Sequence, residues 1–267
     1  MPRRVLAITL AGSIAATTYA AVQQPARRST AKPLLNADFS GKRLNNALWA
    51  RCHWWAKHGC TIKTNNELEW YLPGQVSVRN GVLRLTAQRR DVNASDGKLH
   101  PYVSGMISTG PKRDDGRVGF AFRYGHAEIR AQIPAGSGLW PAFWLLPTTQ
   151  DSIPEIDVME MRGQQPDTVH MHLHYRGSNG ESVDRGNTWK APASLAGGWH
   201  RFGIDWRPGS LRWLVDGVEH FRVTGNSVPS EPMYLVANLA VGGDWAGSPE
   251  ATRFPSAFKI DYVRVWK

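Results

Sequence analysis

Val76-Ser77-Val78-Arg79-Asn80-Gly81-Val82-Leu83-Arg84-Leu85 reads as a strand, a two-residue turn and a second strand. Apolar and polar residues alternate on both sides, the period of a half-buried strand, and Asn80-Gly81 is the strongest short hairpin signal. The same pattern recurs along the chain. Leu211-Arg212-Trp213-Leu214-Val215 and Val218-Glu219-His220-Phe221 flank Asp216-Gly217, and Pro208-Gly209 predicts a third hairpin. Further strands are predicted over Gly119 to Phe122, Ala127 to Ile133, Thr168 to Tyr175, Arg201 to Trp206, Met233 to Ala240 and Phe258 to Trp266. No stretch of ten residues has helical periodicity. Many short strands joined by Gly and Pro turns in one long domain predict an all-β fold, a two-sheet β-sandwich of the jelly-roll kind with one sheet open to a cleft.

Glu155-Ile156-Asp157-Val158-Met159-Glu160 breaks that grammar in an informative way. Strands alternate their faces, so Glu155 and Asp157 share one face while Ile156 and Val158 pack on the other. Strict alternation would bury Glu160 beside Ile156, at high cost to a carboxylate. A β-bulge at Val158 or Met159 returns Glu160 to the side of the other two acids. Glu155 and Glu160 then stand four strand steps apart, roughly 13 Å between Cα atoms. Two glutamates leaning together across that span leave a gap on the order of 5 to 6 Å, the separation of a retaining glycosidase. A merely solvated acidic face, or a hard-cation site built from three carboxylates, is the competing reading.

Met1-Pro2-Arg3-Arg4 and the apolar run Val5 to Ala16 have the form of an export signal, with cleavage expected after Thr18-Tyr19-Ala20. The expected organisation is therefore a signal over residues 1–20, a disordered lead-in over 21–34 and one domain over 35–267. The apolar run is too short to span a bilayer, and no later one is longer. An exported protein, secreted or periplasmic, is expected. Loss of Arg3 and Arg4 leaves 30 basic against 22 acidic residues, a charge of about +8. No cluster of Lys and Arg concentrates it, which argues against nucleic acid. Cys52 and Cys60 stand alone as a pair and are most simply a disulfide closing a surface loop. A zinc site from Cys52, His53, His58 and Cys60 is the sharper alternative, but its spacing matches no common zinc pattern.

Thr168-Val169-His170-Met171-His172-Leu173-His174-Tyr175 puts three histidines on one strand face. Such a row can bind zinc, yet the neighbouring sequence supplies no usual partner, so a polar cleft wall beside the acids is expected. Twelve tryptophans exceed what a core needs, and about half are expected in it. Trp140 and Trp144 share a strand face, while Trp54, Trp55, Trp70 and Trp245 sit near loops. Flat indoles stack on the apolar faces of sugar rings, so a saccharide groove is expected.

With these residues assembled, the chain from about Phe39 to Trp266 resembles glycoside hydrolase family 16, the laminarinase and lichenase-type endo-β-glucanases. The resemblance is carried by Asn65-Asn66-Glu67-Leu68-Glu69-Trp70-Tyr71, Tyr124-Gly125-His126-Ala127-Glu128, Gly138-Leu139-Trp140-Pro141-Ala142-Phe143-Trp144, the acidic run and Ala237-Asn238-Leu239-Ala240-Val241-Gly242-Gly243. It implies a concanavalin A-like jelly roll with a concave cleft, and catalysis by double displacement without a cofactor. Glu155 is then the nucleophile, Glu160 the acid/base and Asp157 the residue that tunes Glu155. Trp140, Trp144, His174, Asn238, Trp245 and Asn66 become substrate contacts. A structural calcium, where the family carries one, maps to the Asp261 carboxylate and the Gly81 carbonyl. Two departures bear on the sugar accepted: Met106 in Ser104-Gly105-Met106-Ile107 stands where many laminarinases have Arg, and His172 replaces a smaller residue.

The expected protein is a monomeric endo-glycosidase cutting internal β-1,3 bonds of a β-glucan. The alternatives are a β-1,3-1,4-glucanase, a hydrolase of another, anionic, matrix polysaccharide, and a carbohydrate-binding protein without turnover.

Overall fold

The computed structural model describes residues 32–55, 60–112 and 115–267. The expected signal, residues 1–20, lies outside the described residues, as does all but the end of the 21–34 segment. There Leu34 already donates its backbone N–H to the Val265 carbonyl at 2.7 Å.

The strands run β1 (Leu35–Ala37), β2 (Glu69–Tyr71), β3 (Val76–Arg79), β4 (Val82–Asn93), β5 (Leu99–Ser104), β6 (Met106–Ser108), β7 (Gly125–Gln132) and β8 (Leu139–Pro147). They continue through β9 (Glu155–Glu160), β10 (Thr168–Arg176), β11 (Ser182–Lys190), β12 (His200–Arg207), β13 (Ser210–Val215), β14 (Val218–Thr224), β15 (Met233–Val241) and β16 (Ser256–Trp266). One sheet follows the path β14-β13-β12-β7-β16-β4-β5-β2, with β1 added on β16 and β3 on β4. The other has the order β11-β10-β9-β8-β15-β6 and carries the acidic strand. The α-helix α1 (Gly243–Ala246) is a single turn, and among the described residues no helix is long and apolar enough to cross a membrane.

All three expected hairpins form, with Arg79 opposite Val82, Arg207 opposite Ser210 and Val215 opposite Val218. Asn80 and Asp216 adopt φ of +53° and +50°, and the glycines after them +72° and +86°. That left-handed pair matches the right-handed twist of the flanking strands, which is why Asn-Gly and Asp-Gly suit the position. Alternation then delivers one face of each strand to the space between the sheets. Leu83 and Leu85 of β4, Ile129 of β7, Phe202 and Ile204 of β12 and Phe258 of β16 meet Ile156, Met171, Leu173, Leu235 and Leu239 from the opposite sheet. Each large side chain so buried contributes roughly 1.5 to 3 kcal/mol.

Two expectations fail. Gly119 to Phe122 is not a strand: Gly119 and Phe120 both donate to the Thr109 carbonyl, at 2.9 and 3.0 Å, which kinks the chain. Phe122 pairs with Met233 only as an isolated bridge. Trp70 does not reach a groove. It is buried in β2 with its ring 4.8 Å from that of His100. Trp49, Trp144, Trp206 and Trp213 are buried as well, close to the share of tryptophans expected in the core.

Candidate active site

Strand β9 carries the bulge. On one side Phe143 of β8 pairs with Met159 and Trp144 with Asp157; on the other His170 of β10 faces Glu160 and His172 faces Asp157. Val158 has no partner on either side, so one extra residue is absorbed there. Val158 and Met159 both turn into the core with Ile156. Glu160 returns to the face of Glu155 and Asp157, as the cost of burying a carboxylate requires. The opposite sheet fixes this geometry: Trp213 of β13 donates its indole N–H to the Asp157 carbonyl at 2.8 Å, in a buried contact.

The three acids line a cleft of about 760 Å³ on the outer face of the six-stranded sheet. Asp157 is almost completely enclosed. Burial, the charges of Asp157 and Glu160 and a hydrogen bond with Asp157 push Glu155 well above the ordinary carboxylate range. Burial and the Asp157 charge push Glu160 up as well, opposed by Trp140, whose Nε1 donates to Glu160 Oε1 at 3.0 Å. Carboxylates crowded in this way do not all ionise near neutrality, so the group keeps a proton. His174 Nε2 stands 3.1 Å from Asp157 Oδ2, and that contact raises the imidazole above its usual value.

The wall across the cleft is aromatic and acidic. Trp245, carried on α1, packs at 4.7 Å on Trp140 and at 4.9 Å on His170. Trp144 Nε1 donates to Asn238 Oδ1 at 2.7 Å, and Asn238 Nδ2 donates to the Tyr71 hydroxyl at 3.0 Å. Glu67 reaches the cleft between Asn65 and the acids, accepting from Asn65 Nδ2 at 2.9 Å and from the Ile62 N–H at 3.3 Å. Behind it Glu69 is fully buried and accepts the Val241 N–H at 2.7 Å. Burial raises both carboxyls, and the Glu67 charge adds to the effect on Glu69. Two buried carboxyls this close do not both ionise near neutrality, so this pair shares a proton also.

The disulfide forms as expected, Cys52 to Cys60 with Cα atoms 5.3 Å apart. The loop it closes brings Trp54 and Trp55 to one end of the cleft, where Trp54 Nε1 donates to the Tyr234 hydroxyl at 3.1 Å. His53 is buried beneath, and burial holds its ring neutral with a pKa of about 3. His58 falls outside the described residues.

Of the residues expected to touch substrate, Trp140, Trp144, His174, Asn238 and Trp245 do line the cleft. Asn66 does not. Its Nδ2 is turned to Asp244 Oδ2 at 2.9 Å, so it braces α1, and Asn65 takes the cleft position. Met106 is fully buried in a cluster with Trp144, Tyr71 and Tyr234, so it supports the cleft from below and meets no sugar. The calcium expectation finds a poor set of donors. Asp261 Oδ2 is held by Arg130 at 2.7 Å, and neither convergent group of three His, Cys, Asp or Glu ligands among the described residues includes it. Calcium takes six to eight oxygens, and Arg130 competes for the one carboxylate that the expectation names.

Sequence reasoning missed Glu67 and Asp184 as cleft residues. Glu67-x-Glu69 carries the signal that drew attention to Glu155-x-Asp157, two acids one strand period apart. Asp184 lies on β11, an exposed edge strand without apolar alternation, and had no such signal.

Comparison with known proteins matches residues 54–264 to the family model described as Glycosyl hydrolases family 16. The Endo-1,3-1,4-beta-glycanase ExsH of Rhizobium meliloti (strain 1021) is 34% identical over 259 residues, which is 90% of this chain and 52% of that protein. The chain thus spans about half the length of that relative. The Beta-glucanase of Rhodothermus marinus is 31% identical over 76% of this chain and 75% of its own length. Among solved structures, the laminarinase catalytic domain from Thermotoga maritima MSB8 superposes with a TM-score of 0.77 at 30% identity, covering 88% of this chain and 98% of that one. With the jelly roll, the bulged acidic strand and the tryptophan-lined cleft in place, the chain belongs to glycosyl hydrolases family 16.

Proposed function

We propose that this chain is an exported, monomeric, retaining endo-glycosidase that hydrolyses internal β-1,3 bonds of a laminarin-like β-glucan. The observation that carries the reading is the bulge at Val158. It sets Glu155, Asp157 and Glu160 on one cleft face, with Trp140 on Glu160 and His174 on Asp157.

In the first step Glu160 gives its proton to the glycosidic oxygen as the Glu155 carboxylate attacks the anomeric carbon. The bond to the leaving sugar breaks and a glycosyl ester forms on Glu155. In the second step Glu160, now a carboxylate, takes a proton from the water that attacks the same carbon, and the ester breaks. Two inversions give net retention. Asp157, beside Glu155 and in contact with His174 Nε2, adjusts the charge on the nucleophile between the steps. The chemistry is that of carboxyl groups alone. The cleft's open form and its indoles suit binding within a polymer chain, and the aromatic faces supply stacking.

A mixed-linkage β-1,3-1,4-glucan is the second reading, favoured by the likeness to the Endo-1,3-1,4-beta-glycanase of Rhizobium meliloti. A panel of laminarin, lichenan, agarose and carrageenan, scored by release of reducing ends, separates the two and includes the anionic alternative. Glu155→Gln and Glu160→Gln are expected to lower the rate on laminarin by at least about a hundredfold while keeping the circular dichroism of the wild type. Hydrolysis that survives either change would overturn the mechanism and favour a binding protein. Azide restoring turnover to Glu155→Ala as an α-glycosyl azide would mark the nucleophile; a β-azide from Glu160→Ala would mark the acid/base.

A further inference from the structure

We propose that His172, His174 and Asp184 form a binding site for a divalent transition metal of the zinc type on the cleft wall beside the acids. His172 and His174 alternate outward from β10, and their rings lie parallel, 5° apart in plane and 5.7 Å between centroids. Asp184 faces them from β11, where it pairs with His174 in register. Both Nδ1 atoms converge on one carboxylate oxygen: His172 Nδ1 stands 2.9 Å from Asp184 Oδ1, and His174 Nδ1 stands 3.8 Å from it. The three ligand atoms all lie within 4.8 Å of one another. Ligands about 2.0 to 2.2 Å from a tetrahedral zinc stand roughly 3.3 Å apart, so small side-chain adjustments close the site.

Two features beyond the cluster support an ion there. His174 presents Nδ1 to the site while its Nε2 faces Asp157 Oδ2 at 3.1 Å. A carboxylate behind the far nitrogen of a ligating histidine fixes its tautomer and makes it a better donor. Second, the His172 ring lies over Gly186, where a Cβ would sit 2.4 Å from Nδ1. The backbone is bare where the ring must rest. Two neutral imidazoles and one carboxylate leave a fourth position open, and the half-exposed Asp184 side chain gives an ion an entry path from solvent. The second convergent trio, Glu155, Asp157 and His174, shares His174, but its other two members are crowded carboxyls, one of them the enclosed Asp157. An ion of the borderline class favours two imidazoles and one carboxylate over one imidazole and two carboxylates.

The site stands on geometry alone and does not depend on the hydrolytic reading, so its test reads binding and not turnover. Chelator-treated full-length protein is titrated with zinc chloride by isothermal calorimetry near neutral pH. One equivalent is expected to bind. Asp184→Asn and His172→Ala are each expected to weaken binding about tenfold or more, and Gly186→Ala, which displaces the His172 ring without removing a ligand, to weaken it also. Glu155→Gln is expected to bind as the wild type does. No zinc uptake by the wild type would overturn the proposal, as would undiminished uptake by Asp184→Asn and His172→Ala. Loss of binding in Glu155→Gln with retention in Asp184→Asn would place the ion on the acids and overturn it equally. Thermal melts establish that the variants are folded, and Asp184→Asn, on an exposed edge strand, leaves the core untouched.

Discussion

Replacing Trp140 by Phe removes one N–H and keeps an aromatic ring, and the loss falls on a group whose ionisation the proposed reaction uses. Trp140 Nε1 donates to Glu160 Oε1 at 3.0 Å in a partly buried contact. The bond stabilises the carboxylate and not the acid, so it holds Glu160 below where burial and Asp157 would otherwise drive it. A hydrogen bond to a charged group is worth about 1.5 to 3 kcal/mol, and partial exposure places this one near the lower end. Since 1.36 kcal/mol corresponds to one pH unit, Glu160 in the variant keeps its proton to a pH about one unit higher. The first step needs Glu160 protonated, so the alkaline limb of kcat/KM against pH is expected to move up by about that amount. The assay is the pH profile of kcat/KM on a soluble laminari-oligosaccharide. The height of the profile will fall, because the indole also packs on Trp245 at 4.7 Å, and only the position of the limb is diagnostic. Trp144→Phe is the control: its Nε1 goes to Asn238, so the limb should stay in place. An alkaline limb that does not move in Trp140→Phe, or moves down, refutes the assignment of Glu160 as the acid.

Trp213→Phe strands the buried Asp157 carbonyl at the bulge, a loss of about 1 to 3 kcal/mol. A lower Tm with kcat falling more than KM rises is expected, and an unchanged Tm and kcat would show that the bulge needs no brace. Cys52→Ser opens a loop of sequence separation 8, for which chain entropy gives about 2.5 kcal/mol. The melting temperature should drop, with KM rising most for long substrates because Trp54 and Trp55 lose their hold on the cleft's end; equal losses on short and long oligosaccharides would count against it. Glu69, raised by burial and by Glu67, favours folding as the neutral acid. Its contribution is therefore full below the unfolded glutamate value of about 4.3 and is lost as pH rises toward the folded value. Glu69→Gln cannot ionise, so its Tm should fall less than the wild type's as pH increases above about 5; parallel curves would refute the shared-proton pair.

The strands that sequence exposes most clearly are those with one face on the core and one in water. Val76 to Leu85 and Leu211 to Phe221 are of this kind, and there period and turn chemistry agree. Strand β15 is buried on both faces, with Met233, Leu235 and Leu239 in the core and Tyr234 and Val236 in the second cluster, so its continuous apolar run gave a strand but not its place in the sheet. Strand β11 is the reverse case, polar along its length, and was invisible. With it went Asp184, whose role depends on cross-strand register. The acids were legible because a charge in the wrong phase of an alternating pattern has few physical resolutions. Met106 and Asn66 were misplaced because resemblance fixes a position in sequence and leaves open which side of the backbone faces the sugar.

The bulge joins what makes the fold stable to what makes the site reactive. Without Val158 the run Glu155, Ile156, Asp157, Met159 and Glu160 would alternate perfectly; with it, the bulge is what keeps Glu160 on the face of the other two acids. What it adds is a second consecutive apolar residue turned inward, Val158 beside Met159, and a backbone carbonyl at Asp157 that must find a donor. Trp213 supplies that donor from across the core, so the sheet that does not line the cleft sets the depth of the residue between Glu155 and Glu160. Crowding raises the carboxyls only while Asp157 remains enclosed between them, and Asp157 remains enclosed because the opposite sheet holds its backbone. The Trp213 contact that ties the two sheets together therefore also holds the acids in the enclosed setting that raises them.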